Sequence, residues 1–171
     1  MLKAHIISEN GDKIEEILHD FLISRNLTIS TAESCTGGEL SHLITSVSGS
    51  SNYFLGGICT YKTEKKTEIL GVSEDLIKEK TVVSAEVAEA MSLGCQKLFK
   101  TDIALSTTGV AGPNSDEFNT EIGTVFYSIR VKDFEKTFRL YLPHLERKDF
   151  MNFVSQKVLQ DLIQILIQEN L

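Results

Sequence analysis

Apolar residues in this chain switch repeatedly between helical and strand spacing, and the order of those switches restricts the fold more than any single motif does. Residues 12–25, DKIEEILHDFLISR, place Ile14, Ile17, Leu18, Phe21 and Leu22 at helical intervals. LTIST (27–31) is short and β-branched, the pattern of a strand. LSHLITSV (40–47) returns to helical spacing through Leu40, Leu43, Ile44 and Val47. FLGGICTY (54–61) reads as a strand and KTEKKTEILG (62–71) as a short helix ended by Gly71. Ser84 reads as the N-cap of a helix running to about residue 99 through Val87, Met91 and Leu98. DIALSTTG (102–109) is a strand, 109–122 a loop, and GTVFYSIRV (123–131) and KTFRLYL (136–142) two antiparallel strands around a turn at Lys132–Phe134. A final helix covers about 146–169, its stripe of Phe150, Phe153, Val154, Val158, Leu162 and Leu166 read as core, with a dimer surface the lesser alternative.

Helix and strand alternate first, and then two strands follow one another. This order predicts a three-layer α/β/α sandwich with a mostly parallel sheet and one antiparallel member. The 171 residues suffice for one core, no linker or repeat divides them, and the chain is read as a single domain over 1–171. Sites in such sheets gather where strands end and lead into helices, which points to 32–38, 60–66 and 107–113.

Charge and cysteine content narrow the function classes. A net charge of −7 argues against a sequence-independent nucleic-acid binder, which needs a basic surface. A small anionic ligand stays open, because one arginine and a few backbone N–H groups suffice for it. Cys35, Cys59 and Cys95 are odd in number and widely spaced, which suggests neither a disulfide framework nor a zinc site. Reduced thiols, an N-terminus (MLKAHIISENGDK) without a secretory apolar stretch, and short apolar runs together predict a cytoplasmic protein with no membrane span.

The segment AESCTGG (32–38) joins a predicted strand to a predicted helix and supports three readings. Glu33, Ser34 or Thr36 can cap the helix, with Gly37 and Gly38 allowing close approach. The glycines can form part of an anion cradle, although the segment is neither a Walker loop nor a G-x-S-x-G elbow. Ser34 can be a nucleophile favoured by the helix N-terminus, provided a base exists. His5, His19, His42 and His144 form no convincing serine–histidine order, and His19 reads as a solvent-facing residue. A lysine base must lose roughly 3 pKa units, about 4 kcal/mol of differential desolvation or repulsion. Among Lys62, Lys65 and Lys66, the last shares a helical face with Ile69 and Leu70 and is the one drawn inward. Cys35, one position after Ser34, reads mainly as a packing residue.

The ordered motifs AESCTGG, SGSSNYFLGG, TY-x-x-x-x-K with LGV, VS-x-E-V-A-x-A-M, TGVAGP and GTV resemble the CinA C-terminal domain family, over about residues 12–165. That family includes the nicotinamide mononucleotide deamidases. The resemblance implies the same three-layer fold and a serine/lysine amidohydrolase without metal or cofactor. It implies Ser34 as nucleophile, Lys66 as general base and Tyr61 as a proton-relay or orienting group. It implies a substrate pocket formed by Cys35, Thr36, Gly37, Thr108, Gly109 and Arg147, with the arginine suited to the substrate's phosphate. The implied reaction converts nicotinamide mononucleotide to nicotinic acid mononucleotide and ammonia; the predicted helix N-terminus, rather than the resemblance, suggests backbone N–H groups near Cys35 and Thr36 as the oxyanion donors. The implied partner is a pyridine nucleotide; a homo-oligomer, with a dimer favoured, is a further expectation.

Three departures from the family pattern stand out. The usual glycine run with Lys-Pro-Val is replaced by NSDEFNTEI (114–122), whose Asp116, Glu117 and Glu121 would repel a phosphate. Lys62-Thr63 replaces a usual Ser-Asn, and Met151 stands where a second arginine is usual. The alternatives are therefore a pyridine-nucleotide-binding module without turnover, or an amidase for a different, less anionic amide. The chain also reads as a stand-alone form of a domain often preceded by a nucleotide-processing domain, its first ten residues lacking a family counterpart.

Overall fold

The computed structural model describes residues 13–169. His5 and the N-terminal stretch used in the secretion argument lie outside the described residues. One five-stranded sheet runs in the order β2-β1-β3-β4-β5. Its strands are β1 (Ile29–Glu33), β2 (Phe54–Cys59), β3 (Ile103–Gly109), β4 (Thr124–Val131) and β5 (Phe134–Tyr141). β1 pairs in parallel with both β2 and β3, and β4 runs antiparallel to β3 and β5. Four strands therefore share one direction and β4 opposes them, as the order of periodicities predicts.

Helices cover both faces. α1 (Ile14–Arg25), α2 (Glu39–Thr45) and α6 (Arg147–Gln168) lie on one side; α3 (Thr63–Leu70), α4 (Glu74–Lys80) and α5 (Ala85–Phe99) lie on the other. Leu18, Leu22, Leu40, Ile44, Phe150, Val154, Val158 and Leu162 meet Ile29, Leu105, Tyr127 and Ile129 in the first core. Val87, Met91, Cys95, Ile77 and Val72 meet Ala32 and Ala104 in the second. The α6 stripe is thus core.

The central strand explains where the predicted boundaries shift. β1 runs from residue 29 to 33, two residues later than LTIST, and every residue in it is buried. Covered on both faces and both edges, it can hold Ser30, Thr31 and Glu33 only because each has a partner. Ser30 bonds Thr101 at 2.7 Å and Thr31 bonds Ser41 at 2.7 Å. Polar residues at a strand's end otherwise read as loop, and the partners lie 71 and 10 residues away. The β4–β5 turn is tighter than predicted, with Lys132 in the left-handed region and β5 already begun at Phe134. α4 is absent from the reading of the sequence; its signal is Ser73, whose Oγ accepts from the Leu76 amide, followed by Glu74 and Asp75 in the first turn.

Glu33, fully buried, ends β1 and caps α2. Its Oε2 accepts from the Thr36 hydroxyl (2.7 Å) and the Gly38 and Leu40 amides (3.0 and 3.1 Å). Its Oε1 accepts from the Ser41 amide (2.8 Å) and hydroxyl (2.6 Å). A seven-residue helix is marginal alone, and this carboxylate supplies the acceptors its first turn lacks. Gly57 makes room for the cluster, since a Cβ there would stand 2.3 Å from Thr31 Oγ1 and 2.5 Å from Ser41 Oγ. Glu33→Ala leaves buried donors without an acceptor and is expected to cost about 3–5 kcal/mol in urea unfolding. A change below about 1 kcal/mol would show that the turn finds other acceptors.

Candidate active site

The ends of β1, β2 and β3 and the loops after them surround a cavity of about 490 Å³. Its wall takes Ser34 and Cys35 from the first loop, Tyr61 to Glu64 and Lys66 from the second, and Thr108 to Gly112 and Asn114 to Glu117 from the third, all but Asn114 to Glu117 within or beside the segments the strand-end rule selects. Val82, Val83 and Arg147 complete it.

Ser34 sits at the turn leaving β1 and Lys66 one turn into α3, and the parallel β1–β2 pairing brings them together. The Lys66 amine donates to Ser34 Oγ at 3.1 Å and to the Thr60 carbonyl at 2.7 Å. Lys66 is 1 % exposed. Burial lowers its pKa from the ordinary lysine value to about 8, against the opposing pull of the Glu64 and Glu117 carboxylates. Leu70, one turn on, is buried as the helical face requires, whereas Ile69 is exposed and does not share that face. Lys62 and Lys65 are exposed.

Tyr61 lies on the rim, 56 % exposed, and its phenol accepts from an Arg147 Nη. The structure therefore pairs Tyr61 with Arg147, and the Thr60 carbonyl is the group that orients Lys66. The other Arg147 Nη donates to the Gly112 carbonyl at 2.7 Å. Arg147, the first residue of α6, thus ties the loop after β3 to the loop after β2.

The turn at 34–37 differs in part from the expected binding surface. Thr36 is fully buried and outside the cavity wall, its hydroxyl donating to Glu33 and standing 2.8 Å from that of Thr107. Because Thr36 gives its proton to Glu33, Thr107 donates to Thr36, and the Ser34 amide donates to Thr107 at 3.4 Å. Thr107 is the site residue that the sequence reading missed: an alternating strand pattern does not reveal which threonine meets the turn after β1. Gly37, with φ +63°, also lies off the cavity wall; a Cβ there would stand 3.1 Å from Met151 Cε. Met151, at the position of the missing arginine, therefore packs under the turn rather than reaching the cavity.

Thr108 and Gly109 do line the cavity, but the Thr108 hydroxyl is already bound to the Val82 carbonyl at 2.7 Å. Burial pushes the Cys35 thiol up to about 12, so it stays protonated and unreactive. The Leu40 and Ser41 N–H groups of α2 go to Glu33 and that of Glu39 to the Thr36 carbonyl, which removes them as anion donors for Ser34 or its substrate. The Cys35 and Thr36 amides, by contrast, have no hydrogen-bond acceptor among the described residues. Of the loop acids, Asp116 and Glu117 face the cavity, while Glu121 lies outside it and accepts from Tyr141. His19 is half-buried and bonds the Tyr53 phenol at 3.2 Å rather than facing solvent. His42 and His144 are exposed and away from the cavity.

An open α/β sheet with a buried serine–lysine pair at its strand ends defines the class of protein. The sequence profile of the CinA C-terminal domain matches residues 11–166, and the chain belongs to that family. It is 53 % identical over 121 residues to a CinA-like protein of Flavobacterium psychrophilum, covering 71 % of this chain and 29 % of the relative. It is 39 % identical over 160 residues to a CinA-like protein of Solibacter usitatus, covering 93 % and 38 %. The chain thus spans about a third of the length of these curated relatives. A competence-damaged protein (CinA) superfamily protein from Escherichia coli superposes with a TM-score of 0.86 at 27 % identity, over 90 % of this chain and 88 % of that one. One from Enterobacter cloacae gives 0.88 at 25 %, over 97 % and 96 %. Among the described residues no helix is long and apolar enough to cross a membrane.

Proposed function

We propose that this chain hydrolyses a carboxamide by serine/lysine chemistry, with nicotinamide mononucleotide as substrate and nicotinic acid mononucleotide and ammonia as products. The observation that carries the reading is the buried Lys66 amine 3.1 Å from Ser34 Oγ. Neutral Lys66 takes the serine proton as Oγ attacks the amide carbon. The amide of Cys35, which lines the cavity, supplies an N–H group for the oxyanion. The C–N bond then breaks, and Lys66 passes its proton to the departing ammonia. Water attacks the resulting ester, Lys66 accepts its proton, and Ser34 is restored. Arg147 offers the charge for the phosphate. Ammonia release from nicotinamide mononucleotide, measured with a coupled assay, tests the reading; none at any concentration overturns it. Asp116 and Glu117 on the wall favour a second reading, an amide less anionic than a mononucleotide, which a panel of amides separates.

The pH profile follows from the base. Protonated Lys66 cannot accept a proton, so kcat/KM is expected to rise about tenfold per pH unit below about 8 and to level above it. A profile that is flat from about pH 6 to 9 would remove Lys66 from the role.

A further inference from the structure

The charged groups on the cavity wall are not equally committed. Arg147 is engaged by the Gly112 carbonyl and the Tyr61 phenol. Asp116 uses one oxygen for the Thr120 amide (2.7 Å) and the other for the Thr120 hydroxyl (2.8 Å), which holds it within its own loop. Glu64 and Lys62 are exposed and, among the described residues, have no side-chain hydrogen bond to fix them. Glu117, also exposed, differs from these groups in bridging two loops. Its Oε1 accepts from the Thr63 hydroxyl at 2.8 Å, a bridge across 54 residues from the loop after β3 to the first residue of α3. Its Oε2 has no partner among the described residues. Thr63 lies one helical turn before Lys66, so the bridge holds a carboxylate on the same cavity wall as Lys66 and Ser34. The field of Glu117 reaches that far, since it is among the groups that oppose the lowering of the Lys66 pKa.

We infer that Glu117, held by Thr63, is a specificity-determining residue that favours amides whose carbonyl is attached to a cationic group. The inference rests on the amidase reading and sharpens it. A negative charge on the same cavity wall as Ser34 attracts a cationic ring and penalises an anionic neighbour, while the anionic end of a dipolar substrate falls to Arg147. An N-ribosylated pyridinium carboxamide has that polarity; its 1,4-dihydropyridine form keeps the carboxamide, ribose and phosphate and loses the ring charge.

The test compares these two forms of nicotinamide mononucleotide in wild type and Glu117→Gln, by kcat/KM for ammonia release and by calorimetric dissociation constants. Thermal melts establish that the variant folds. The ratio of kcat/KM, pyridinium over dihydropyridine, is expected to fall about five- to tenfold in the variant, the size of one partly screened charge contact. The ratio in wild type is expected to shrink at high salt, and Thr63→Val to reproduce part of the loss by releasing the carboxylate. Equal losses on both forms would make the bridge a loop strap only, and an unchanged ratio would equally overturn the inference. If wild type releases ammonia from neither form, the amidase reading fails. The dissociation constants then decide the inference separately, since Glu117→Gln must weaken the pyridinium form selectively.

Discussion

Ser34→Ala is expected to reduce ammonia release by at least about 10³-fold while leaving the fold and ligand affinity in place. The size of the effect follows from the lack of a substitute nucleophile. Cys35 is the adjacent candidate, but burial keeps its thiol protonated, with a pKa pushed up to about 12. Thr36 and Thr107 are buried and spend their hydroxyl protons on one another and on Glu33. Removing Oγ also leaves the Lys66 amine with the Thr60 carbonyl as its hydrogen-bond partner. Because Ser34 is small and its amide still bonds Thr107, the turn keeps its geometry. Steady-state ammonia assays with calorimetric binding of the same amide separate loss of chemistry from loss of the site. Activity within tenfold of wild type would remove Ser34 as the nucleophile.

Lys66→Met carries the second large effect, and it acts in opposite directions on activity and stability. Without the base, kcat/KM is expected to fall by about 10²–10⁴-fold. Stability at pH 7 is expected to rise by about 2 kcal/mol, because a lysine held near pKa 8 in the fold and near 10.5 when unfolded opposes folding. The shift corresponds to about 3 kcal/mol, and the Thr60 carbonyl, which loses its donor, returns about 1 of it. The pH dependence has a definite sign. Below about pH 8 both states of the wild type hold the proton and the full cost is present. Between about 8 and 10.5 the folded state has released it while the unfolded state retains it, so wild-type stability rises with pH. Above about 10.5 the cost is gone, and the advantage of the methionine variant disappears with it. Urea unfolding of both proteins at pH 7 and near pH 10 measures this; a stability difference independent of pH would show that the lysine is not desolvated in the fold.

The legible part of the site was the part with local causes. Lys66 stands out because a helical face shared with Leu70 draws one lysine of three inward, and a period of 3.6 needs no knowledge of the partner. A cap among Glu33, Ser34 and Thr36 is legible because polar acceptors ahead of a helix meet that helix's own N–H groups, and the structure assigns it to Glu33. Ile69 misled for the same reason, since periodicity gives a direction around the axis but not the width of the face that the neighbouring element covers. His19 was misread because its partner, Tyr53, lies 34 residues away and no spacing rule connects them.

The residues the sequence left in the wrong place are those whose role depends on what crosses the cavity. Thr36 and Gly37 belong to a motif whose neighbours form the wall, yet Glu33 turns Thr36 inward and Met151 fills the space beside Gly37. The family resemblance implies a relay or orienting role for Tyr61 toward Lys66, whereas Arg147, 86 residues on, takes its phenol.

Alternating periodicities by themselves determined a three-layer sheet protein with its loops at the strand ends, because burying an apolar face is a local demand repeated along the chain. Only the tertiary structure decided which hydroxyl meets which amine, which carboxylates face the cavity, and that Thr63 holds Glu117 on the same cavity wall as the base. Those outcomes depend on parallel strands placing residues from distant segments within hydrogen-bond reach, and on burial withdrawing water from one lysine while leaving its neighbours solvated.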